Sequence, residues 1–513
     1  MTVAAPRTIL IAGASGYIGR ALIPELRARF PAARIVALSR TARASEDPLV
    51  EWRPCDLFSL KDLERAVPTD LDVAYYLVHS MAPTAHLDQG SFADYDLILA
   101  DNFARVLKGL ARVANPPFDR SVPGKSRGPI SSSGNPAPSC ARTLGQRVPV
   151  HVIYLGGLIP RHAELSPHLR SRLEVQQVFS DRALDHTSFR AGLILGPHGS
   201  STDIMVRLVR RLPVMLCPRW TQTLTQPIDL AAVVKALAEV AGDPASYGQT
   251  YDLAGCRPLS YMDMMAETAR WLGLRRRLVP SRFFSPSMSR LWVSLVTGMP
   301  RALVYPLIES LRHEMVARPD HLYGPAPERS YAELLRTMPP PARERSRSVG
   351  YTPERRVVRS VQRLPRPPSM DAEAVKREYA AWLPRFLRPF IRVWFDVPAA
   401  GAAPTRMVFS LLRKRWQLLA LDLASDRSAP DRQLLYITGG ALTARGGRGR
   451  LELREVLQRR YVLAAIHEFK PALPWYVYRY TQAVVHLLVM RGFARHLRRI
   501  ERRELRAATP SAA

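Results

Sequence analysis

The sequence predicts an α/β protein: a doubly wound parallel sheet with a small helical lobe, followed by a separate C-terminal α+β domain. Three observations lead to this prediction. Strand-like and helix-like patterns alternate at βαβ spacing over residues 1–115, a glycine-rich turn follows the first apolar strand, and the pattern changes after a stretch rich in proline and arginine. With 513 residues, the chain is long enough for two or three domains.

The first strand runs directly into a glycine-rich turn. Residues 8–12 are apolar, glycines follow with the spacing Gly-x-x-Gly-x-x-Gly, and a helical pattern comes next. Such a turn lets the backbone approach a pyrophosphate that rests on the N-terminus of the helix. We therefore predict that the chain binds a dinucleotide, the alternative being a purely structural glycine turn. The predicted contacts in this turn are Gly13, Ser15, Gly16, Tyr17, Ile18 and Gly19.

The end of the second strand predicts which dinucleotide is bound. Residues 34–38 are strand-like and end in Ser39 and Arg40, about 20 residues after Gly19, where dinucleotide folds contact the adenosine ribose. A hydroxyl and a guanidinium stand there in place of a carboxylate, and a guanidinium favours a 2′-phosphate. We predict NADP as the cofactor, with NAD as the alternative if Arg40 is only a solvated surface arginine.

Two further strand patterns end in residues that could serve a site. Residues 50–55 form a short strand pattern that ends at Asp56, and residues 72–78 form a buried strand pattern followed by His79. Ligands of open parallel sheets bind at the carboxyl ends of the strands. His79 is therefore a candidate proton donor, or alternatively a loop histidine that satisfies nearby backbone groups.

The high positive charge of the chain is compatible with a nucleic-acid partner, but the distribution of the basic residues argues against one. The formal net charge is +30, yet only seven of the 74 basic residues are lysine, and the arginines are spread along the chain. No helix-turn-helix, zinc-finger or aromatic RNA-binding motif is present. We predict no nucleic-acid partner. Attraction to anionic cofactors or peripheral contact with a membrane surface explains the charge better.

The cysteines and the apolar runs indicate a cellular compartment. The four cysteines lie far apart without Cys-x-x-Cys spacing, which favours a reducing cytoplasm over a disulfide framework or a metal site. No signal-peptide pattern and no run of 18 uncharged apolar residues occurs. We therefore expect a cytoplasmic protein without a membrane span.

Two stretches interrupt the pattern of strands and helices. Residues 116–147 are rich in Pro, Ser and Gly and predict a surface insertion, whereas residues 338–374 are rich in Pro and Arg and predict a linker. The predicted domains are a nucleotide-binding domain with its substrate lobe over residues 1–337, the linker over 338–374, the α+β domain over 375–505 and a tail over 506–513.

These residues together resemble the short-chain dehydrogenase/reductase (SDR) superfamily, in its extended or atypical branch. The glycine turn, Asp56-Leu57 and the segment from Arg190 to Pro197 match motifs of that branch, and the segments around His79, Tyr154 and His168 look like its YbjT-like atypical group. The resemblance covers roughly residues 7–335. It implies a Rossmann fold, an adenine contact by Asp56 and Leu57, and further cofactor contacts by Leu77 and Val78.

The sequence departs from that family at the catalytic positions. Extended members carry Tyr-x-x-x-Lys on the helix after the fifth strand, and here His168 and Arg172 occupy those two positions. Gly156 and Gly157 replace the usual hydroxyl donor at the end of the fifth strand. Either His168 is a general acid and Arg172 contacts the ribose, or His168 only packs and the protein senses the nucleotide without turning it over.

The C-terminal domain resembles an accessory domain of unknown function that is often fused to the atypical group. Strand-like runs over residues 406–412, 416–423, 433–438 and 451–456 precede a helical tract over 474–503. Strands and a closing helix suggest, by analogy alone, a helix-grip, START-like fold around an apolar ligand. Glu452 and Arg454 share one face of a strand and predict a polar site or a buried salt bridge. His467 lacks partners at metal spacing, so no metal is predicted.

The sequence therefore predicts an NADP-dependent oxidoreductase that acts on a small apolar carbonyl or enoyl compound, with His168, Arg172 and His79 as candidate catalytic residues. The alternative is a non-catalytic NAD(P)-sensing regulator or assembly protein, as NmrA-like proteins are. A lipid-binding protein with a structural nucleotide is a third hypothesis. The patterns predict neither the substrate nor the oligomeric state.

Overall fold

The structure is a computed structural model of the chain, and it describes most of the 513 residues. The described residues are 5–79, 87–114, 150–160, 165–281, 293–294, 296–298, 305, 309–338, 358–396, 406–411, 416–444 and 449–508. The predicted insertion over 116–147 lies outside them, as do residues 339–357 of the predicted linker and the end of the predicted tail.

Seven strands form one parallel sheet in the first part of the chain. In sheet order they are β12 (Thr250–Leu253), β7 (His186–Ala191), β6 (His151–Gly157), β4 (Val73–Tyr76), β1 (Thr8–Ala12), β2 (Arg34–Ser39) and β3 (Val50–Pro54). Every neighbouring pair is parallel. The order of the strands along the chain reverses between β1 and β4. The predicted doubly wound parallel sheet is confirmed, and its reversal point is where such sheets bind ligands.

Helices cover both faces of this sheet, because each connection between parallel strands must cross over a face. The helices are α1 (Tyr17–Arg29), α2 (Leu60–Ala66), α3 (Phe92–Ala114), α4 (Pro167–Asp181) and α6 (Leu230–Glu239). One apolar core lies between the sheet and α2, α3 and α4, and contains Phe103 and Phe179. The other lies between the sheet and α1 and α6, and contains Leu22 and Leu237.

A smaller lobe of short strands and helices follows the last βα units. Its strands are β8 (Ile194–Leu195), β9 (Val214–Pro218), β10 (Leu224–Thr225), β11 (Ile228–Asp229), β13 (Leu259–Ser260) and β14 (Arg277–Ser281). They pair as β8 with β11, β9 with β14 and β10 with β13. The helices of the lobe are α5 (Ser200–Arg211), α7 (Tyr261–Trp271) and α8 (Tyr331–Arg336).

The second sheet is built mainly from the C-terminal part of the chain. Its strands, in sheet order, are β16 (Ile391–Asp396), β17 (Arg406–Leu411), β18 (Trp416–Leu423), β19 (Arg432–Gly439), β20 (Arg450–Val456), β21 (Tyr461–Phe469), β15 (Val358–Pro365) and β5 (Leu87–Gln89). All pairs are antiparallel except β15 with β5. The predicted second domain with an antiparallel sheet is therefore present, and a three-residue strand of the first domain extends its edge.

The second sheet is covered on both faces. On one face lie α9 (Ala372–Leu387) and α11 (Gln482–Ala508), which is preceded by α10 (Trp475–Tyr480); their core contains Tyr379 and Phe493. On the other face, Val361 and Leu463 pack into the same core as Phe103 of α3. The two sheets thus share α3 as a common layer. The described residues contain no helix that is both long and apolar enough to cross a membrane.

Residues 358–365 correct the linker prediction. They form β15 in the interior of the second sheet, although proline and arginine made residues 338–374 resemble a linker. Val358, Val361 and Leu364 are buried, whereas Arg359 and Arg363 are partly exposed. Arg359 pairs with Asp56, and Arg363 forms a two-pronged ion pair with Glu174. These arginines are interface residues of a strand rather than solvated residues of a linker.

Glu452 and Arg454 form the buried ion pair that was one of the two sequence interpretations. Nε of Arg454 lies 2.7 Å from Oε1 of Glu452, and the guanidinium also donates to Asp101 at 2.8 Å and Asn102 at 2.7 Å, both on α3. His467 lies 3.0 Å from Glu452. No group of described side chains has the composition of a metal site. This polar cluster therefore joins the second sheet to α3.

Candidate functional site

The glycine turn between β1 and α1 has a shape that side chains would destroy. Gly13 has φ +90, and a Cβ on it would lie 2.8 Å from the carbonyl oxygen of Leu77 on the neighbouring strand end. A Cβ on Gly19 would lie 2.6 Å from Cα of Ala14 and would also collide with the carbonyl oxygen of Gly13. The amide of Gly16 donates to Gly13 at 2.9 Å. Glycine at 13 and 19 keeps the turn tight and the helix close to the strand.

The N-terminus of α1 is open to an anion. Gly16 is the N-cap and offers no side chain to the first amides of the helix, and the first turn contains no acidic residue. These amides and the positive end of the helix dipole point toward the carboxyl edge of the sheet. The turn and the helix end therefore fit a pyrophosphate. Ser15, Tyr17 and Ile18 belong to the same segment, as the sequence predicts.

The other predicted cofactor residues follow β2, β3 and β4 at the same edge of the sheet. Ser39 is buried at the end of β2 and donates to the carbonyl of Thr41, while Arg40 is exposed. Leu77 follows β4 and touches the glycine turn, and Val78 packs against the core beside α3. Since β1 to β4 are adjacent and parallel, these strand ends form one continuous edge.

Asp56 has a partner that the sequence does not predict. Its carboxylate pairs with the guanidinium of Arg359 on β15 of the second sheet and accepts from the amide of Phe58 at 3.1 Å. The same guanidinium lies 4.8 Å from the ring centre of Phe58. Leu57 accepts a hydrogen bond from Asn102 of α3 at 3.0 Å. The second domain therefore reaches the adenosine end of the predicted cofactor site.

A cleft of about 250 Å³ lies at the reversal point of the sheet. Among the described residues, its lining includes three predicted cofactor contacts, Tyr17, Ile18 and Leu77, and two predicted catalytic residues, His168 and Arg172. The structure thus brings residues from α1, β4 and α4 into one site. Gly156 and Gly157, at the end of β6, line it as well.

Tyr17 closes one wall of this cleft. Its ring packs on the turn after β8: a Cβ on Gly199 would lie 2.9 Å from the phenol oxygen, and one on Gly196 would collide with it. Burial, together with the charge of Asp203, raises the pKa of Tyr17 to about 12. The phenol is therefore protonated at neutral pH and is not available as a base.

Behind the cleft, three side chains form a chain from a buried carboxylate to the cleft wall. Oδ2 of Asp96 on α3 lies 2.6 Å from Nδ1 of His79, at ion-pair distance, and Nε2 of His79 lies 3.2 Å from Nδ1 of His168. Ser171 donates to the same carboxylate at 2.9 Å. We call Asp96, His79 and His168 the relay. Both predicted histidines belong to it, although 89 residues separate them.

Both histidines of the relay are electrically neutral near pH 7. Burial, the nearby Arg172 and His79 lower the pKa of His168 to about 2, and Asp96 opposes this only in part. Burial and Arg172 also lower the pKa of His79, again against the pull of Asp96. His168 is therefore held in its neutral form, because the ring is desolvated beside the cation of Arg172.

The neutral relay has one favoured arrangement of protons. A nitrogen lone pair 2.6 Å from a carboxylate oxygen would be repelled, so Nδ1 of His79 carries a proton and its Nε2 is an acceptor. Nδ1 of His168 must then donate to His79, which leaves Nε2 of His168 as a lone pair. The relay at rest can therefore accept a proton at Nε2 of His168, and it can donate one only after gaining it.

The end of β6 holds glycine for a packing reason as well. A Cβ on Gly156 would lie 3.0 Å from the ring of Tyr154, whereas a Cβ on Gly157 would meet its nearest neighbour at 3.8 Å. The phenol of Tyr154 is buried and donates to the carbonyl of Arg172 at 3.0 Å. Tyr154 therefore fixes the backbone of α4 beside the cleft and does not face a ligand.

Asp96 is the functional residue that the sequence interpretation missed. It lies in the segment Asp94-Tyr-Asp-Leu-Ile-Leu-Ala-Asp-Asn102 of α3, where four polar side chains are buried among apolar ones. A helix rarely buries so many polar groups unless each has a partner. The polar residues among apolar ones can therefore be recognised in the sequence. The partner of each polar residue cannot.

Comparison with known proteins gives one curated relative. The auxiliary protein GraX of Staphylococcus aureus is 30% identical over 99 residues, which are 19% of this chain and 31% of that protein. The match thus spans less than a third of the length of that relative. No protein-family model matches the chain.

Several solved structures are similar to the first part of the chain. A nucleoside-diphosphate-sugar epimerase from Staphylococcus aureus has a TM-score of 0.44 at 13% identity and covers 64% of this chain and 99% of its own. Triphenylmethane reductase from Citrobacter sp. in complex with NADP(H) has a TM-score of 0.43 at 15% identity, covering 61% and 93%. An NADPH-dependent quinone oxidoreductase from Escherichia coli has a TM-score of 0.43 at 17% identity, covering 64% and 99%.

The strand order and the glycine turn of this chain are sufficient to assign its fold. Seven parallel strands reverse their order next to the glycine turn, and helices cover both faces. The chain therefore has a Rossmann-type doubly wound fold, followed by a second domain with an antiparallel sheet.

Proposed function

We propose that this chain is an NADP-binding oxidoreductase that transfers hydride to or from a small apolar substrate and uses the relay to move the accompanying proton. The observation that carries the proposal is the meeting of two features at one cleft. His168 ends the relay in the wall that Tyr17, Ile18 and Leu77 also form. A proton-transfer group and a nucleotide-binding turn thus face the same space.

The residues present fit a dinucleotide. Glycine at 13 and 19 lets the backbone of the turn pack closely on itself and on Leu77, and the N-terminus of α1 has no side-chain cap. Gly13, Gly16 and Gly19 would hold the pyrophosphate, and the exposed guanidinium of Arg40 would hold a 2′-phosphate. When bound, the nicotinamide supplies the hydride. Every other group in the proposed reaction comes from the protein or the substrate.

The relay would supply the proton. Reduction of a carbonyl adds hydride to carbon and a proton to oxygen, so the substrate oxygen must face Nε2 of His168. The cation formed by protonation of the relay is shared between two rings and is stabilised by Asp96. In the reverse direction the neutral ring takes the hydroxyl proton. In the resting state both histidines are neutral, so the lone pair of Nε2 is available for that uptake.

The cleft selects for small apolar compounds. Its lining includes the apolar Leu155, Leu169, Leu193 and Met315, and its polar groups besides the relay end and Arg172 are hydroxyls of serine, threonine and tyrosine. Its volume of about 250 Å³ lies below the usual range for ligand sites, about 300–1,000 Å³. A ring and a small substrate would occupy it together. We propose carbonyl and enoyl compounds of modest size as substrates.

Single-turnover oxidation of stoichiometric NADPH with a library of such compounds tests the proposal. We expect at least one compound to oxidise bound NADPH, and His168→Phe to slow that step at least about a hundredfold, as loss of a proton donor does. The affinity for NADPH should change little, because His168 is not among the residues expected to hold the phosphates of the nucleotide. Tight binding with no oxidation by any compound would refute catalysis and leave nucleotide binding intact.

One observation favours a second function, nucleotide sensing. Asp56, the residue expected to contact adenine, is paired with Arg359 of the second domain. A bound adenine would compete with Arg359 for this carboxylate and thereby change the contact between the domains. If sensing is the function, Arg359→Met should raise NADPH affinity, because Asp56 is freed. Unchanged affinity would remove the support for coupling between the two domains.

A further inference from the structure

An unusual surface lies on the second domain, and none of its residues lines the cleft. Around the first half of α11, large apolar side chains project into solvent: Phe390 is 78% exposed, Tyr480 72% and Leu488 54%. Monomeric proteins rarely gather such side chains without a use for them. The members of this surface, here called the aromatic patch, are Phe386, Phe390, Tyr476, Tyr480, Val484, Val485 and Leu488.

The packing of α9 against α11 brings the members of the patch together. His496 contacts Glu378 at 2.7 Å, the rings of Phe493 and Trp382 are 5.3 Å apart, and a Cβ on Gly492 would lie 2.8 Å from the ring of Phe386. The two helices are therefore antiparallel, and the end of α9 lies beside Gly492, in the first half of α11. Phe390 follows at the chain reversal between α9 and β16.

On α11 and α10 the exposed apolar residues share one side. Val484, Val485 and Leu488 are spaced so that they fall on one face of α11, while Met490 and Phe493 on the opposite face are buried in the core. On α10, Tyr476 and Tyr480 are exposed one turn apart. These residues of α10 and α11 are thus exposed, whereas the opposite face of α11 packs in the core of the second domain.

The charge around the patch has a single sign. Residues 379–395 and 469–500, which supply the patch, contain no aspartate and no glutamate. Arg385, Arg388, Arg479 and Arg491 are exposed among its members. Tyrosine and phenylalanine flanked by arginine are typical of protein surfaces that lie at the headgroup level of a bilayer.

We propose that the aromatic patch docks the protein on the surface of an anionic phospholipid bilayer. Apolar side chains would enter the headgroup region, and the arginines would pair with lipid phosphates; each basic residue near an anionic surface contributes about 1 kcal/mol. A second copy of the chain is disfavoured as the occupant, because its patch would bring the same uncompensated positive charge. The patch and the lining of the cleft have no residue in common.

Vesicle co-sedimentation of the full chain tests this inference. We expect binding to phosphatidylcholine vesicles that contain about 30% phosphatidylglycerol, little binding to pure phosphatidylcholine, and release by salt. Leu488→Glu should weaken binding at least about tenfold. Leu505→Glu is the matched control, because Leu505 is 53% exposed on the same helix but outside the patch, and it should bind like wild type.

Three outcomes would overturn the inference. One is equal binding to neutral and anionic vesicles, or none to either. Another is equal loss of binding in Leu488→Glu and Leu505→Glu. The third is a wild-type dimer in sedimentation equilibrium that Leu488→Glu converts to a monomer, which would assign the patch to a second copy. Circular dichroism checks the fold of each variant, and Tyr480→Ser provides a second, smaller change at an exposed position.

Discussion

Nε2 of His79 lies 3.2 Å from Nδ1 of His168, and Asp96 lies 2.6 Å behind the other nitrogen of His79. Protonation of Nε2 of His168 therefore depends on the protonation state of His79 and on the charge of the buried Asp96. The two histidines titrate as one unit, so their behaviour is better described for the pair than for either ring.

This coupling predicts the pH dependence of reduction. Because burial and Arg172 lower the pKa of His168 to about 2, the protonated fraction above neutral pH falls about tenfold for each pH unit. The single-turnover rate of NADPH oxidation should rise as the pH is lowered from about 8 to 6. Asp96→Asn should slow the step about tenfold or more at each pH, with NADPH affinity unchanged. A rate that does not vary with pH would indicate water as the donor.

The position of Arg40 predicts that the protein prefers NADPH to NADH. Its exposed guanidinium follows β2, at the position expected for a 2′-phosphate, so Arg40→Asp should reduce NADPH affinity and bring the preference toward NADH. Fluorescence titration with both nucleotides measures the ratio of the two affinities. Arg43→Asp, on the same segment, is the control for a general effect of charge. An unchanged ratio in Arg40→Asp would remove the assignment of the 2′-phosphate site.

Two glycine-to-alanine changes should differ in their effects: Gly19→Ala should abolish nucleotide binding, whereas Gly109→Ala should increase the stability of the protein. In Gly19→Ala the new Cβ would lie 2.6 Å from Cα of Ala14, so the turn must open and nucleotide binding should be lost. Gly109 is exposed on α3 with nothing within 4 Å of its Cβ position, so Gly109→Ala should stabilise by about 0.5–1 kcal/mol. Urea unfolding and nucleotide titration measure both effects. Retained binding in Gly19→Ala would show that the turn does not hold a pyrophosphate.

Substitution of the buried Arg454 should cause a large loss in the free energy of unfolding. It is buried between Glu452 and Asp101, so Arg454→Met leaves two buried carboxylates short of a partner. Removal of one member of a buried ion pair costs about 3–5 kcal/mol. Arg270→Met breaks an exposed pair with Glu267 and should leave stability almost unchanged. Similar unfolding midpoints in urea for the two variants would contradict this account of the domain interface.

The buried His151 should make the stability of the protein sensitive to acid. His151 accepts from the amide of Gly242 at 3.2 Å and contacts Thr187 at 2.8 Å, and burial lowers its pKa to about 4. The unfolded chain binds this proton near pH 6.5, so the stabilisation is complete above that pH and is lost on acidification toward pH 4. The slope is about 1.4 kcal/mol per pH unit. His151→Gln should show a smaller slope in urea unfolding, and an identical slope would contradict the assignment.

The sequence predicts those features that depend on local pattern. The glycine turn, the alternating strands and helices and the place of His79 at a strand end all depend on residues within a few positions of one another. The fold class was predicted correctly for this reason. Gly13 and Gly19 are needed because neighbouring backbone approaches closely, which the spacing of the motif already indicates.

The sequence does not predict features that depend on distant partners. Asp96 meets His79 only because α3 crosses the sheet, and Arg359 and Arg363 resemble solvated linker residues until Asp56 and Glu174 are placed beside them. Burial of His168 beside Arg172 also changes the expected pKa. Charge and desolvation act through space, so their effects require the fold.

The position of α3 between the two sheets limits how this protein can be divided. Asp94 and Asp101 of α3 receive arginines from the second domain, and Glu174 of α4 does so as well. Excision of residues 1–337 would remove an arginine partner from each of these three acids, although Asp101 would keep Arg105 and Arg182, and it would expose the side of Phe103 that packs toward the second sheet. We expect the excised part to aggregate or to lose the relay, because Asp96 lies on the same helix. We therefore expect the first domain to depend on the second domain for its stability.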